Sequence, residues 1–494
     1  AEYMGVFVLN LNLKIASLAA MEASSLMIEM RKGFASGKTR SYDWRVQQLT
    51  RILKMCEDNE REIVDALAAD LGKPAPESIL YEICFLRNSC SVLLKDLKRL
   101  MKPEKVKVPL LMQPCSAEIV AEPLGVVLVI STWNYPFLLS LDPVVGAIAA
   151  GNAVVLKPSE QAPATSWLMA RLLQAYLDIS CVRVVEGGIN ETSSLLDQKW
   201  DKIFYTGSAR VGRIVMAAAA KHLTPVVLEL GGKSPVIVDS DVDFPITARR
   251  IIASKWGCNS GQTCVSPDYV LTTKESASKL VDCLRKELER FFGKDMVASK
   301  DMSRIVNATS FRRLEKLLDD EKVAGKIVYG GQKNKHDLRI CPTILLDVPR
   351  DSLIMGEEIF GPLLPIVLVE KVEDSFGFVG AGEKPLGAYL FTNRKELKEK
   401  FVESVAAGGV VVNDAGVQMA LSALPFGGVG QSGIGAYHGK FSFDAFSHKK
   451  AVAYRSFAGD TSMRYPPYTA KKVSLMKAIL LGDIWGFFRI LLGF

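Results

Sequence analysis

Three short tracts of this chain place reactive side chains where they could act on a carbonyl group. Cys264 stands in GQTCVSPDYV (residues 261–270), a turn opened by Gly261 and closed by Pro267. A thiol exposed on such a fixed backbone can attack a carbonyl carbon. Glu229 ends the apolar, β-type run of VLELGGKSP (227–235). Apolar surroundings raise a carboxylate's pKa and suit it to draw a proton from a thiol or a water near neutral pH. Asn134, in STWNYP (131–136), carries a side-chain amide that can donate to an oxyanion, and the Cys264 N–H can supply a second donor. Each residue also has a plainer reading: a packed thiol, a buried ion pair with Lys233 or an arginine, a turn asparagine. The three tracts together favour the chemistry.

Further tracts suit a nucleotide. KPSE (157–160) ends a strand-like run with Lys157, Ser159 and Glu160, which fits an adenosine ribose held by charge-assisted hydrogen bonds. Glu160 favours free ribose hydroxyls, hence NAD, over a 2′-phosphate, while Lys157 leaves NADP possible. FYTGSARVG (204–212) reads as strand, glycine turn and helix. The helix N-terminus could receive a pyrophosphate, with Gly207 allowing close backbone approach. Gly231 and Gly232 leave room for a cofactor ring beside Glu229. Two other glycine motifs are decoys. A GxGxxG string at 428–433 lies late in the chain and follows no first strand of a βαβ unit. GGKS (231–234) resembles half a P-loop, but Val227 stands where glycine is required.

These side chains need a scaffold, and its pattern is legible. From Met21 to about Leu100 apolar residues recur at helical spacing, broken at Gly72-Lys73-Pro74. A proline- and lysine-bearing stretch (102–116) follows, with the short runs of an extended hairpin. GVVLVIS (125–131), AVVLKPS (153–159), VRVVEGG (182–188), KIFYTGS (202–208) and PVVLELG (225–231) then alternate with helix-length segments such as LLSLDPVVGAIAAG. That alternation predicts an α/β fold with a parallel, doubly wound sheet of the nucleotide-binding kind. Beyond Gly231 a second α/β stretch carries PVIV, YVLTT, KIVYG, LPIVLVE and GGVVVN, and reads as the catalytic domain.

Composition narrows the class. A chain of 494 residues exceeds one hydrophobic core, so two or three domains are expected. Apolar content of 49% with 23% charged residues belongs to a globular protein. The net charge of +7 comes from scattered lysines and arginines, which argues against nucleic-acid binding. Nine cysteines without a CxxC pair point to free thiols in a cytosol-like compartment. His222, His336, His438 and His448 form no zinc-binding spacing, so no metal site is expected. No G-x-S-x-G elbow supports a serine hydrolase.

The tracts around Cys264, Glu229 and Asn134 resemble the aldehyde dehydrogenase superfamily, and the resemblance runs over nearly the whole chain. Within it, LPFGGVGQSGIGAYHGKFSFDAFSHKKAV (424–452) and MAAAAKHLTPVVLELGGKSPV (216–236) resemble the class-3 type, including plant-like members. The resemblance implies NAD(P)-dependent oxidation of aldehydes, medium- or long-chain or lipid-derived, to carboxylic acids through a cysteine thiohemiacetal and thioester. It implies that Glu358 of EEIFGPLLP (357–365) grips the nicotinamide ribose and that Phe360 flanks it. It also carries Thr132, Trp133, Gly188, Phe204, Thr206, Ser208, Val211, Gly212, Leu230 and Gly231 over as cofactor contacts. The implied organisation is a nucleotide-binding domain (21–103 and 123–230) and a catalytic domain (231–445). A bridging hairpin and strand for homodimerisation (104–122 and 446–458) and a tail (459–494) complete it.

Two other functions compete with this reading. A CoA-acylating dehydrogenase needs no base for hydrolysis, so Glu229 argues against it. A non-catalytic protein of the same fold would not need Cys264 and Glu229. VFVLNLNLKIASLAA (6–20) lacks the basic flank and cleavage site of a signal peptide, and residues 1–20 read as a leader or non-native extension. The tail VSLMKAILLGDIWGFFRILLGF (473–494) is interrupted by Lys477, Asp483 and Arg489. It therefore predicts an amphipathic helix packed on protein or lying in a membrane interface rather than a span. The expected location is the cytoplasm, with peripheral contact to an organelle membrane as the alternative.

Overall fold

Val126–Ile130 is apolar at every position and wholly buried, as a strand covered on both faces must be. It pairs in parallel with Ala153–Lys157 on one side and Lys202–Thr206 on the other. The full sheet runs Gly433–Ile434, Val226–Glu229, Lys202–Thr206, Val126–Ile130, Ala153–Lys157, Val182–Val184. Strand order therefore reverses beside Val126–Ile130, and ligands of such sheets bind outside the strand C-termini at that reversal. The tracts 131–134, 157–160, 206–208 and 229–231 all leave the sheet at this edge. The architecture comes from a computed structural model, which describes residues 21–109, 113–458 and 460–494. The leader reading of residues 1–20 lies outside the described residues.

Among the described residues the second sheet has seven strands, in the order Ile327–Tyr329, Thr343–Leu346, Leu363–Val369, Tyr269–Thr273, Pro235–Val238, Gly387–Phe391, Gly409–Val412. All pairings are parallel except the first. Thr343–Leu346 and Gly387–Phe391 are strands beyond those read from the sequence. Cys264 precedes Tyr269–Thr273, so it sits at the N-terminal edge of this sheet.

Helices from residue 21 to Leu100 pack with Leu138–Ala149 on the first sheet in one core. Gly72 ends Glu60–Leu71 at φ +60°, its N–H bonded to the Ala68 carbonyl, which is the left-handed cap that glycine adopts without strain. A separate antiparallel sheet joins Glu104–Val106, Cys115–Pro123 and Ser447–Arg455, with Ser447 opposite Pro123 and Arg455 opposite Cys115.

Two expectations are corrected. The catalytic segment does not run unbroken from 231 to 445. Gly433–Ile434 pairs antiparallel with the strand ending in Glu229, and Tyr437, Phe443 and Phe446 enter the first core. A two-residue, glycine-bounded strand has too little periodicity to be read, and its aromatic anchors decide its place. The tail is two helices, Ala470–Leu480 and Ile484–Leu492, rather than one. Gly482 turns at φ +71°, and the Asp483 carboxylate accepts the Gly486 N–H at 2.7 Å to cap the second helix. Among the described residues no helix is long and apolar enough to cross a membrane.

Candidate active site

The loop carrying Cys264 is held on every side. Asn259, Ser260 and Gly261 run at φ +49°, +49° and +80°. A Cβ at Gly261 would lie 2.3 Å from the Gly361 carbonyl oxygen, so only glycine fits there. Gln262 is buried; its Nε2 donates to the Arg304 carbonyl at 2.9 Å and its Oε1 accepts the Val306 N–H at 3.0 Å. Tyr389 donates its hydroxyl to the Val265 carbonyl. Cys264 is half-buried on this frame. Burial pushes its thiol pKa up, and the charges of Glu358 and Glu229 add to that. The N–H groups of Cys264 and Val265 pull the other way by favouring the thiolate.

Glu229 is buried, and among the described residues neither carboxylate oxygen has a hydrogen-bond partner. Burial alone drives its pKa well above the ordinary range. Unpaired burial of a carboxylate is costly, and a carboxyl so placed holds a proton or takes one from a reactant. Cys264, Glu229 and Thr206 line one narrow, mostly apolar channel with Tyr81, Phe85, Tyr135, Leu138, Leu139, Met419, Phe426, Tyr437 and His438.

Asn134 is buried, and its Nδ2 donates to the Gln262 carbonyl at 3.0 Å, two residues from Cys264. The amide nitrogen has a second hydrogen to offer. Its backbone carbonyl accepts Lys73 Nζ at 3.0 Å and Asn259 Nδ2 at 2.8 Å.

The expected cofactor residues divide into groups. Ser208, Gly231 and Glu358 line a cavity of about 900 Å³ together with Gly232 and Lys233. Ser208 caps the twelve-residue helix Ala209–Ala220 by accepting the Val211 N–H at 3.4 Å. A Cβ at Gly212 would meet Leu230 at 2.8 Å, so that glycine lets the helix close on the strand end, with Gly207 in the turn before it. Lys157 Nζ and Glu160 form an ion pair at 2.9 Å beside buried Ser159. Burial opposes the Glu160 charge, but the Lys157 hydrogen bond, a backbone N–H and the Lys157 charge together outweigh it and lower the pKa. Trp133, next to Thr132, meets Phe360 edge-on at 5.4 Å, and Phe360 is held at φ +51°. Gly188 opens the helix Ile189–Leu196 at the far strand, its N–H bonded to Glu191 at 2.7 Å.

Phe204 is corrected. Its ring is wholly buried, stacked on Phe446 at 5.9 Å and edge-on to Tyr437 at 5.1 Å. It shares a face with Thr206 but lies one strand repeat deeper, about 6.6 Å from the edge, and so belongs to the core.

Ser208, Gly231 and Glu358 have the chemistry to hold a dinucleotide. A helix N-terminus opens on the cavity at Ser208. A Cβ at Gly231 would come within 2.5 Å of the Glu358 carboxylate. Glu358 Oε1 is buried without a partner among the described residues, and burial followed by the Asp268 charge pushes its carboxyl up to about 8. Sequence reasoning missed Lys73, Glu77, Glu82, Asn259 and Gln262, which frame the site. It also missed Lys255, whose buried Nζ has no partner among the described residues and whose pKa burial lowers to about 8. A charged residue on the apolar face of a helix, as at Glu82, was the available signal. Among the described residues no cluster of three or more His, Cys, Asp or Glu could hold a metal ion.

Residues 11–452 match the aldehyde dehydrogenase family. The chain is 64% identical to aldehyde dehydrogenase family 3 member H1 of Arabidopsis thaliana, covering 96% of this chain and 98% of that one. It is 46% identical to the dimeric NADP-preferring aldehyde dehydrogenase of Rattus norvegicus, covering 89% of this chain and 97% of that one. Among solved structures, the substrate-bound AldH of Staphylococcus aureus superposes with a TM-score of 0.90 at 38% identity, over 92% of this chain and 99% of that one.

Proposed function

This chain belongs to the aldehyde dehydrogenase family and is an NAD(P)-dependent aldehyde-oxidising enzyme, and we propose that Cys264 is its nucleophile, Glu229 its base and Asn134 its oxyanion donor. One observation carries the assignment: the Cys264 thiol and the unpartnered Glu229 carboxylate face the same channel. The Cys264 thiolate adds to the aldehyde carbon, and Asn134 Nδ2–H and the Cys264 N–H hold the oxyanion. When bound, the dinucleotide supplies the two-electron acceptor for the aldehyde hydrogen. Cys264 is left carrying the acyl group as a thioester. Glu229 takes a proton from water, which hydrolyses the thioester to the carboxylic acid and frees the thiol. Glu358, Gly231 and Ser208 would hold the dinucleotide, with Lys157 and Glu160 on its adenosine ribose. Cys264→Ala should abolish turnover and leave NAD binding intact, as read by steady-state assay and calorimetry. Dehydrogenase activity at the native rate in that variant would overturn the mechanism.

NAD is the preferred dinucleotide in this reading, because Glu160 would repel a 2′-phosphate and Lys157 is already paired with it. The ratio of kcat/KM for the two cofactors tests this. The expected result is a higher value with NAD, and Glu160→Ala should shift the ratio toward NADP. A native preference for NADP would refute the role of Glu160.

The aromatic and aliphatic channel favours medium- and long-chain aldehydes, whose tails gain from apolar contact. The working assembly is a homodimer, supported by the three-stranded sheet at the margin of both cores. Nine free thiols favour a cytoplasmic location. The exposed apolar tail supports peripheral membrane contact as the alternative.

A further inference from the structure

Behind Asn134 lies a charged brace that the proposed chemistry does not use. Residues 75–78 are α-helical, Ile79–Cys84 widen to a π-helix, and Phe85–Leu100 resumes the α-helix. Such widenings are rare and frequently mark functional sites. Within this one, Glu82 is wholly buried and forms an ion pair with equally buried Lys73. The second oxygen of Glu82 accepts the Phe137 and Leu138 N–H groups at 2.9 and 3.0 Å, at the exit of the Asn134 turn. Lys73 Nζ donates to the Asn134 carbonyl at 3.0 Å and lies 3.9 Å from the Tyr135 ring centre. Glu77 accepts the Asn259 N–H at 2.8 Å, and Asn259 Nδ2 returns to the Asn134 carbonyl at 2.8 Å. One short segment therefore grips both the asparagine turn and the nucleophile loop.

A buried ion pair is a poor source of stability, because desolvation of both charges offsets their attraction and an apolar pair of similar volume often does as well. What this pair supplies is direction. We propose that Lys73 and Glu82 are positioning residues that fix the Asn134 amide over Cys264. The inference rests on the reading of Asn134 as the oxyanion donor. A donor misplaced by about 1 Å can cost about a hundredfold in rate.

The informative variant is Lys73→Met with Glu82→Gln in the full-length enzyme. It removes both charges together and keeps an acceptor for the Phe137 and Leu138 N–H groups. The expected result is a fall in kcat of about tenfold to a hundredfold, with KM for NAD within about twofold of native. The isotope effect with a deuterated aldehyde should rise. The melting temperature and the rate of Cys264 alkylation by iodoacetamide should stay near native, which a merely structural role would not allow. A folded double variant with kcat within about twofold of native overturns the proposal. If the double variant does not fold, Lys73→Arg, which keeps the charge and moves the donor, is judged by the same two limits. Asn134→Ala is the reference. A native rate in Asn134→Ala overturns the oxyanion reading and the brace with it. A loss there without a loss in the brace variants overturns the brace alone.

Discussion

Cys264 and Glu229 are two acids placed so that burial raises the pKa of each, and the Glu229 charge raises that of Cys264 further. In the proposed mechanism both lose a proton to act, so kcat/KM should climb as pH rises through neutrality into the alkaline range. Glu229→Gln should split the two roles. Turnover should fall by about 10²–10⁴ for loss of the base, while iodoacetamide alkylation of Cys264 should shift to lower pH because one negative neighbour is gone. A shift to higher pH, or none, would refute the coupling. Stability follows the same sign. A raised native pKa means that the native state binds more protons than the unfolded chain above the ordinary glutamate value. The Glu229 contribution is therefore full below the ordinary glutamate value and is lost as pH rises from there through its native pKa, so Glu229→Gln should flatten the fall in Tm over that window. These two residues and Asn134 were legible because each breaks its local pattern: a cysteine in a glycine–proline turn, a glutamate ending an apolar strand, an asparagine after one. Phe204 broke no pattern, and only its depth along the strand separates core from site. Lys73 was hidden by the helix-breaking Gly72 and Pro74 around it, and Glu82 by the helical period on which it lies.

At the level of elements, β-branched runs gave the strands of the first sheet, since a parallel strand covered on both faces has to be apolar throughout. Thr343–Leu346 and Gly387–Phe391 escaped because TILL holds only two β-branched residues and GAYLF none. The tail shows the opposite error. Its apolar spacing reads as one helix across 473–494, but Gly482 and the capping Asp483 fold it into a hairpin in which Leu475 and Ala478 are buried. The hairpin leaves Leu481, Trp485 and Phe494 more than four-fifths exposed. Apolar surface of that kind marks a contact with protein or lipid. Truncation after Tyr468 tests it. The shortened enzyme should change in membrane fractionation, in oligomeric state or in kcat/KM for long-chain aldehydes. If all three match the intact enzyme, the tail has neither role.

For the molecule as a whole, the C-terminal edge of one parallel sheet faces the N-terminal edge of another, and Cys264 and Glu229 meet because they leave those two edges. Alternating strand and helix signals made two such units readable, but not the return of residues 433–446 to the first unit, which depends on distant packing around Phe204. Outside both cores stands the third sheet. Ser447–Arg455 is exposed at most positions and, among the described residues, pairs on one side only, with Cys115–Pro123. A nine-residue edge strand with an open row of N–H and C=O groups is a template for another chain unless something covers it. Val106, Tyr454 and Phe457 add exposed apolar surface along the same sheet. A second copy of the chain would satisfy both the polar edge and this surface, and a two-fold pairing closes without leading to fibres. Light scattering at micromolar concentration should therefore report a mass twice that of the 54.1 kDa chain. Replacing Tyr454 and Phe457 with lysine should shift the mass toward the monomer by placing like charges at the seam. A stable native monomer or tetramer, or a dimer indifferent to those lysines, would move the interface elsewhere.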